Sequence, residues 1–205
     1  MVETLIVGNL GTNCYLYYSK SKDCVIIDPG DDAEYIIDTI SKLSLKPLAI
    51  IATHGHFDHI LAVEQLKLTY EIPFCCSIKD EFLTKSMKQR ASRWLSRKIY
   101  EVSPKIDADL KDLINFGDIG FKIISTPGHT PGSICLYSEK ENILFSGDTI
   151  FANGSIGRYD FSYSNKLRLE KSIHLILQLT GETKIYSAHG DETNVKKEEK
   201  YHKSN

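Results

Sequence analysis

The reading of this chain turns on Thr53-His54-Gly55-His56-Phe57-Asp58-His59. The chain has seven histidines in 205 residues, and three of them fall at positions 54, 56 and 59. At that frequency a chance His-x-His-x-Asp-His is on the order of one in a few thousand. The stretch follows a continuous apolar run, Leu48-Ala49-Ile50-Ile51-Ala52, of the kind that forms a strand buried on both faces. A buried strand thus delivers the chain to a loop where the alternate residues His54 and His56 point one way. Asp58 and His59 begin the next segment, 58–69, whose apolar spacing predicts a helix opened by Asp58 near its N-cap. They point to a neighbouring position. Imidazole and carboxylate are ligands that suit zinc, iron or manganese. Histidines that only satisfied core hydrogen bonds would have no packing reason to cluster at a strand-to-helix turn.

Three more residues repeat this context. His129 follows the apolar stretch 121–125 within Ser125-Thr126-Pro127-Gly128-His129-Thr130-Pro131-Gly132; Asp148 follows Ile143-Leu144-Phe145-Ser146-Gly147; His189 follows Lys184-Ile185-Tyr186-Ser187-Ala188. Each sits just past the carboxyl end of a predicted strand, where open α/β sheets gather their sites. Small residues flank all three, so the backbone can approach a crowded centre. Separate strand ends carrying His or Asp converge on one expectation, a metal site.

The rest of the chain alternates strands and helices. Runs 2–7 and 13–18, separated by Gly8-Asn9-Leu10-Gly11, read as a hairpin, and Cys24–Ile27 as a third strand. Residues 32–44 show helical spacing, and Pro73–Ser77 reads as a strand. The segment 79–112 looks helical. Strands are predicted at 121–125, 133–138, 142–147 and 183–187, and a long amphipathic helix over 164–179. The Lys/Glu-rich end, 196–205, reads as a solvated helix that frays. With no repeat or composition break, the expectation is one α/β domain over 1–205.

Composition excludes several classes. A net charge of -2 offers no global basic field for nucleic acid or an anionic membrane. No apolar run approaches the ~20 residues that span a bilayer. Met1-Val2-Glu3-Thr4 lacks a signal-peptide layout. The five cysteines are odd in number, form no CxxC pair and sit in apolar stretches, which reads as buried, reduced thiols. The expected compartment is therefore the cytoplasm. The expected partner is a small-molecule substrate, with a homodimer left open.

The order HxHxDH, PGHTPGS, FSGDTIF with GSIGRYDF, and AHG resembles the metallo-β-lactamase superfamily. Within it the chain is similar to the hydroxyacylglutathione hydrolase (glyoxalase II) branch, over about residues 5–195. The resemblance implies a four-layer αββα sandwich of two mixed sheets with metals at one edge. It implies two divalent metal ions, zinc in the first place with iron or manganese as alternatives. His54, His56 and His129 would hold one, Asp58, His59 and His189 the other, and Asp148 would bridge them. His56 stands where flavo-diiron relatives carry glutamate, and Asp148 where true β-lactamases place cysteine or serine. Longer glyoxalase II enzymes add a C-terminal extension that grips glutathione. This sequence ends soon after His189, so a high KM for glutathione thioesters is expected.

The implied chemistry is hydrolysis by a metal-bound hydroxide shared between ions roughly 3.5–4 Å apart, with Asp58 orienting it as the catalytic carboxylate. A thiolate leaves readily, which matches the lack of a dedicated acid in the motifs. Arg158 corresponds to a basic residue that faces the substrate's peptide part in glyoxalase II relatives; pairing with Asp160 is the equal alternative. Asp28 either hydrogen-bonds near the first motif or forms a plain turn. His174 and His202 lack a strand-end context and read as structural. The basic run 85–98 around Trp94 reads first as a solvated helix face anchored by the tryptophan, with a gate or grip on an anionic substrate as the alternative. The leading function is a thioesterase of the glyoxalase II type. Behind it stand a persulfide dioxygenase with a single iron, a phosphodiesterase or nuclease, and a weak β-lactamase.

Overall fold

The computed structural model describes residues 1–202. The β-branched and aromatic runs form two mixed sheets. The first has five strands in the order β1 (Val2–Val7), β2 (Thr12–Tyr18), β3 (Asp23–Ile27), β4 (Lys46–Ile51) and β5 (Phe74–Cys75). Its first three strands pair antiparallel, and β3, β4 and β5 pair parallel. The second sheet has six strands: β6 (Leu113–Phe116), β7 (Ile119–Ser125), β8 (Ile134–Ser138), β9 (Ile143–Gly147), β10 (Lys184–Ser187) and β11 (Thr193–Asn194). Only β9 and β10 pair parallel in it.

Alternation along the strands sorts the core into three layers. Tyr15, Tyr17, Val25, Ile27 and Ile51 of the first sheet meet Phe121, Leu136 and Phe145 of the second. The opposite face of the first sheet, with Leu16, Cys24, Ile26 and Ile50, packs on helices α1 (Ala33–Lys42), α2 (Val63–Tyr70) and α4 (Met87–Leu95). Between α2 and α4 lies the short helix α3 (Glu81–Lys85). The outer face of the second sheet, with Cys135, Leu144 and Ile185, covers α5 (Lys166–Ile176) and Val195 of α6 (Val195–His202). Helices on both outer faces of two stacked sheets are the expected αββα sandwich. All five cysteines are buried and free, and no described helix is long and apolar enough to cross a membrane.

Four expectations need correction. The helix predicted over 58–69 starts only at Val63, and Asp58 caps nothing. Residues Phe57–His59 form a 3-10 turn, and Ile60, at φ -137°, breaks the helical path. The segment 79–112 is helical only as far as Leu95; Ser96 then turns left-handed, and residues 96–112 run without a helix. Strand β6, which pairs with β7 through a turn at Gly117, was not expected there, nor was β11. The C-terminal helix holds through His202, and the expected fraying of 203–205 lies outside the described residues.

Candidate metal centre and its cavity

All seven expected ligands meet at one edge of the sandwich. β4 delivers His54 and His56, and the 3-10 turn delivers Asp58 and His59. His129, Asp148 and His189 follow β7, β9 and β10. The two sheets are stitched together at this point. Thr53 O accepts from Ile134 N at 3.0 Å, and Asn13 N donates to Ala188 O at 2.7 Å. The Asn13 side chain also donates to Ser187 O and Gly190 O, both at 2.9 Å, which fixes the backbone on both sides of His189.

The donor atoms fall into two sets. His54, His56, His129 and Asp148 form one, and Asp58, His59 and His189 the other, with donors in each within 4.8 Å of one another. His56 Nδ1 lies 2.9 Å from both His54 Nε2 and His129 Nε2. Asp148 Oδ2 lies 3.3 Å from His129 Nε2. Its other oxygen, Oδ1, lies 3.5 Å from His59 Nε2 and 3.6 Å from His189 Nε2. Asp58 Oδ2 stands 3.7 and 3.6 Å from the same two nitrogens. Edges of this length surround a cation bound at about 2.0–2.1 Å.

Burial supports the same fit. His59 Nε2 and Asp148 Oδ1 are buried without a hydrogen-bond partner. Two such groups aimed at one point are costly unless a cation takes them. Burial and the neighbouring imidazoles hold His54 and His56 well below the ordinary histidine range, which is the neutral form that ligates metal. At His59 burial acts the same way, but Asp28, Asp58 and Asp148 overcome it and raise the ring to about 10. That negative field favours a cation. Burial raises Asp58, while His59 and His189 outweigh it and leave the carboxyl below its usual range, ionised.

The outer nitrogens of the histidines are also held, as metal-binding imidazoles require. His129 Nδ1 lies 2.7 Å from the carbonyl oxygen of Arg158. His56 Nε2 lies 2.8 Å from the Tyr163 hydroxyl, and His54 Nδ1 3.2 Å from Thr53 Oγ1. Asp28, buried at φ +51°, accepts from Thr53 N and Thr53 Oγ1, both at 2.7 Å. Its Oδ2 stands 3.2 Å from His59 Nδ1, an ion-pair contact. Of the two readings of Asp28, support of the first motif is the one with contacts behind it.

Asp80 gave no sequence signal yet ties two of the metal-binding loops together. It is fully buried. It accepts from Gly55 N at 3.0 Å and Thr130 Oγ1 at 2.6 Å through Oδ2, and from Gly132 N at 2.7 Å through Oδ1. Burial pushes its carboxyl up even against these donors. Asp80→Asn turns one accepting oxygen into a donor facing another donor. The variant should lose about 1–3 kcal/mol of stability, read as a shifted urea midpoint with an unchanged slope. An unshifted midpoint would make the clasp irrelevant.

A cavity of about 390 Å³ opens over the cluster. His56, Asp58, His129, Asp148 and His189 form its floor, and Phe151, Ile156, Phe161 and Tyr163 much of its apolar wall. Arg158 reaches it too, while donating to both oxygens of Asp160 at 2.9 and 2.8 Å. Both readings of Arg158 therefore have a footing. The basic run divides: Lys85, Lys88, Arg93 and Lys98 are exposed as a solvated face would be, whereas Arg90 and Trp94 line the cavity. Their i, i+4 spacing put them on one helix face. The alternative reading of the run, a grip on an anionic substrate, therefore has these two residues behind it. His174 is exposed, His202 is half-buried, and neither joins the cluster.

Comparison with known proteins agrees with this geometry. The profile of the Metallo-beta-lactamase superfamily matches residues 7–189. A hydroxyacylglutathione hydrolase, GloC, of Haemophilus influenzae is 34% identical, spanning 97% of this chain and 95% of its own. Among solved structures, the BLEG-1 B3 metallo-β-lactamase superposes with a TM-score of 0.91 at 37% identity, over 98% of this chain and 97% of its own. TTHA1623 in a di-iron-bound form superposes with a TM-score of 0.87 at 31% identity, over 97% and 96%.

Proposed function

Because the chain belongs to the metallo-β-lactamase superfamily, we propose that it is a thioesterase of the glyoxalase II type, hydrolysing hydroxyacylglutathione or related small thioesters. The observation that carries the hydrolytic reading is the split of Asp148, with one oxygen toward His129 and the other toward His59 and His189. A carboxylate so divided suits two adjacent cations. His54, His56 and His129 would hold one, Asp58, His59 and His189 the other, with Asp148 shared. The metals, when bound, supply Lewis acidity and a water acidic enough to act near neutral pH.

The chain's own groups account for the rest. Asp58 lines the cavity as a carboxylate, so a water beside it donates to that group and is held toward the substrate carbonyl. The walls of Phe151, Ile156, Phe161 and Tyr163 exclude bulk water from the reacting centre. A thiolate departs without a strong acid, and Tyr163, whose hydroxyl burial makes harder to ionise, already has its oxygen at His56. The 34% identity with the Haemophilus hydroxyacylglutathione hydrolase, over nearly the full length of both chains, supports the thioester substrate. The 37% identity with the BLEG-1 enzyme keeps a β-lactam amide as the second reading.

Zinc- and iron-loaded protein should be assayed on S-lactoylglutathione, glutathione persulfide, a phosphodiester and a cephalosporin. The thioester is expected to give the highest kcat/KM. A higher value on any other substrate overturns the assignment. Elemental analysis at saturation should find two metals per chain, and no more than one would sink the paired site.

A further inference from the structure

Two arginines reach the cavity, and they differ in what neutralises them. The Arg158 charge is compensated by its two bonds to Asp160. Arg90, half-buried on α4, donates through Nε to Ser86 Oγ at 2.7 Å. No carboxylate among the described residues lies within ion-pair distance of it. Its guanidinium carbon stands 5.5 Å from the centre of the Tyr163 ring, the ring whose hydroxyl meets His56. A full positive charge is thus held one aromatic ring from the metal cluster, facing an apolar cavity. Ser86 and the Tyr163 ring hold the guanidinium in place, but no carboxylate neutralises its charge, and partial burial of a charge without a counter-ion is costly.

Trp94 lies one turn further along the same face. It is 53% exposed, large for an indole with no aqueous role, and it borders the cavity. The Arg158 guanidinium carbon stands 5.5 Å from its ring and 4.6 Å from the Phe161 ring. Phe161 and Tyr163 stack at 5.4 Å with an interplanar angle of 11°. Phe161 and Tyr163 thus form one stacked wall of the cavity, with Arg158 over both Phe161 and Trp94 and with Arg90, lacking a carboxylate partner, over Tyr163.

We propose that Arg90 and Trp94 form a binding subsite for the leaving-group end of the substrate, a small thiol carrier bearing a carboxylate. The carboxylate pairs with Arg90, Trp94 covers the carrier, and the acyl end extends to Asp58 and Asp148. The cavity of about 390 Å³ lies near the small end of the roughly 300–1,000 Å³ range of ligand sites. That suits a peptide-sized carrier better than a nucleotide-bearing one. The substrate class rests on the thioesterase reading, whereas binding of the carboxylate does not depend on turnover.

Trp94 is the only tryptophan in the chain, so its emission reports on this subsite alone. Zinc-loaded protein is titrated with S-hexylglutathione, with its dimethyl ester and with S-hexyl coenzyme A. The dicarboxylate should change Trp94 emission saturably. Kd should rise roughly tenfold for the dimethyl ester, and by a similar factor for Arg90→Gln with the acid. Arg90→Gln should not weaken the ester further, and Arg90→Lys should recover part of the loss. In hydrolysis, Arg90→Gln should raise KM for S-lactoylglutathione, with kcat near its original value. The subsite is overturned by equal binding of acid and ester, by an unchanged Kd in Arg90→Gln, or by tighter binding of the coenzyme A thioether. If the titrations behave as expected and no thioester is hydrolysed, the subsite stands and the proposed reaction falls. If hydrolysis proceeds and Arg90→Gln alters neither Kd nor KM, the reverse holds.

Discussion

Asp148→Ala should leave a folded protein with one metal per chain and lower thioester turnover by more than about a hundredfold, since losing even an outer-shell partner of a metal ligand costs about 10–100-fold. The reason lies in how the carboxylate is shared. Oδ2 stands 3.3 Å from His129 Nε2 and Oδ1 3.5 Å from His59 Nε2, so one side chain serves both donor sets. Without it, the first set keeps three closely spaced imidazoles, enough for a cation. The second keeps Asp58, His59 and His189, more widely spaced, and should empty first on dialysis. Unfolding would not explain the loss. Asp148 is one of three carboxylates that hold His59 cationic in the metal-free chain, so its removal should lower the melting temperature only in part, with Asp28 and Asp58 still in place. Elemental analysis, circular dichroism and a thioester assay on one preparation separate these effects. Two retained metals with normal turnover would remove Asp148 from between the sites.

The balance of what was legible has a physical basis. The ligands could be read because each combines a metal-binding side chain with a strand end, and three of the histidines lie within one short loop. The strands could be read because burial on two or three packed layers demands continuous or alternating apolar residues, as in β4 and β2. Asp80 could not be read, because its partners lie 25, 50 and 52 residues away and locally it is an ordinary aspartate at a helix start. The late start of α2 had the same origin. The 3-10 turn carries Asp58 and His59 to the centre, and Ala62 N donates to Pro29 O at 3.1 Å. That tertiary bond outweighs local helix propensity. For Arg90 and Trp94 the shared face was visible, but the loop it meets, with Arg158, Phe161 and Tyr163, lies far along the chain and is placed there by tertiary contacts such as those of Arg158 O and Ser164 with His129.

Gly157→Ala should abolish stable metal binding although it alters no ligand. A Cβ at Gly157 would overlap the carbonyl oxygen of Asp148 and come within 3.3 Å of His129 Cγ. The first neighbour is backbone, so it cannot swing aside as a flexible side chain would. Either the 148 segment or the 157 segment must shift, at a cost of about 1–3 kcal/mol or more. Either shift misplaces ligands. The Asp148 carboxylate moves with its backbone, and Arg158, next in the chain, holds His129 Nδ1 through its carbonyl at 2.7 Å. One added methyl therefore strains the shared carboxylate and an imidazole of the first set together. A misplacement of about 1 Å is enough to cost on the order of a hundredfold in rate. Gly181→Ala is the control. Its added Cβ would meet only Lys196, at 3.3 Å, and it should keep two metals and near-normal stability. Metal content and urea midpoints of both variants decide the matter. A Gly157→Ala protein that binds two metals and melts with the parent would show that the backbone at Asp148 can yield, and that the close approach at 157 does not set the bridge.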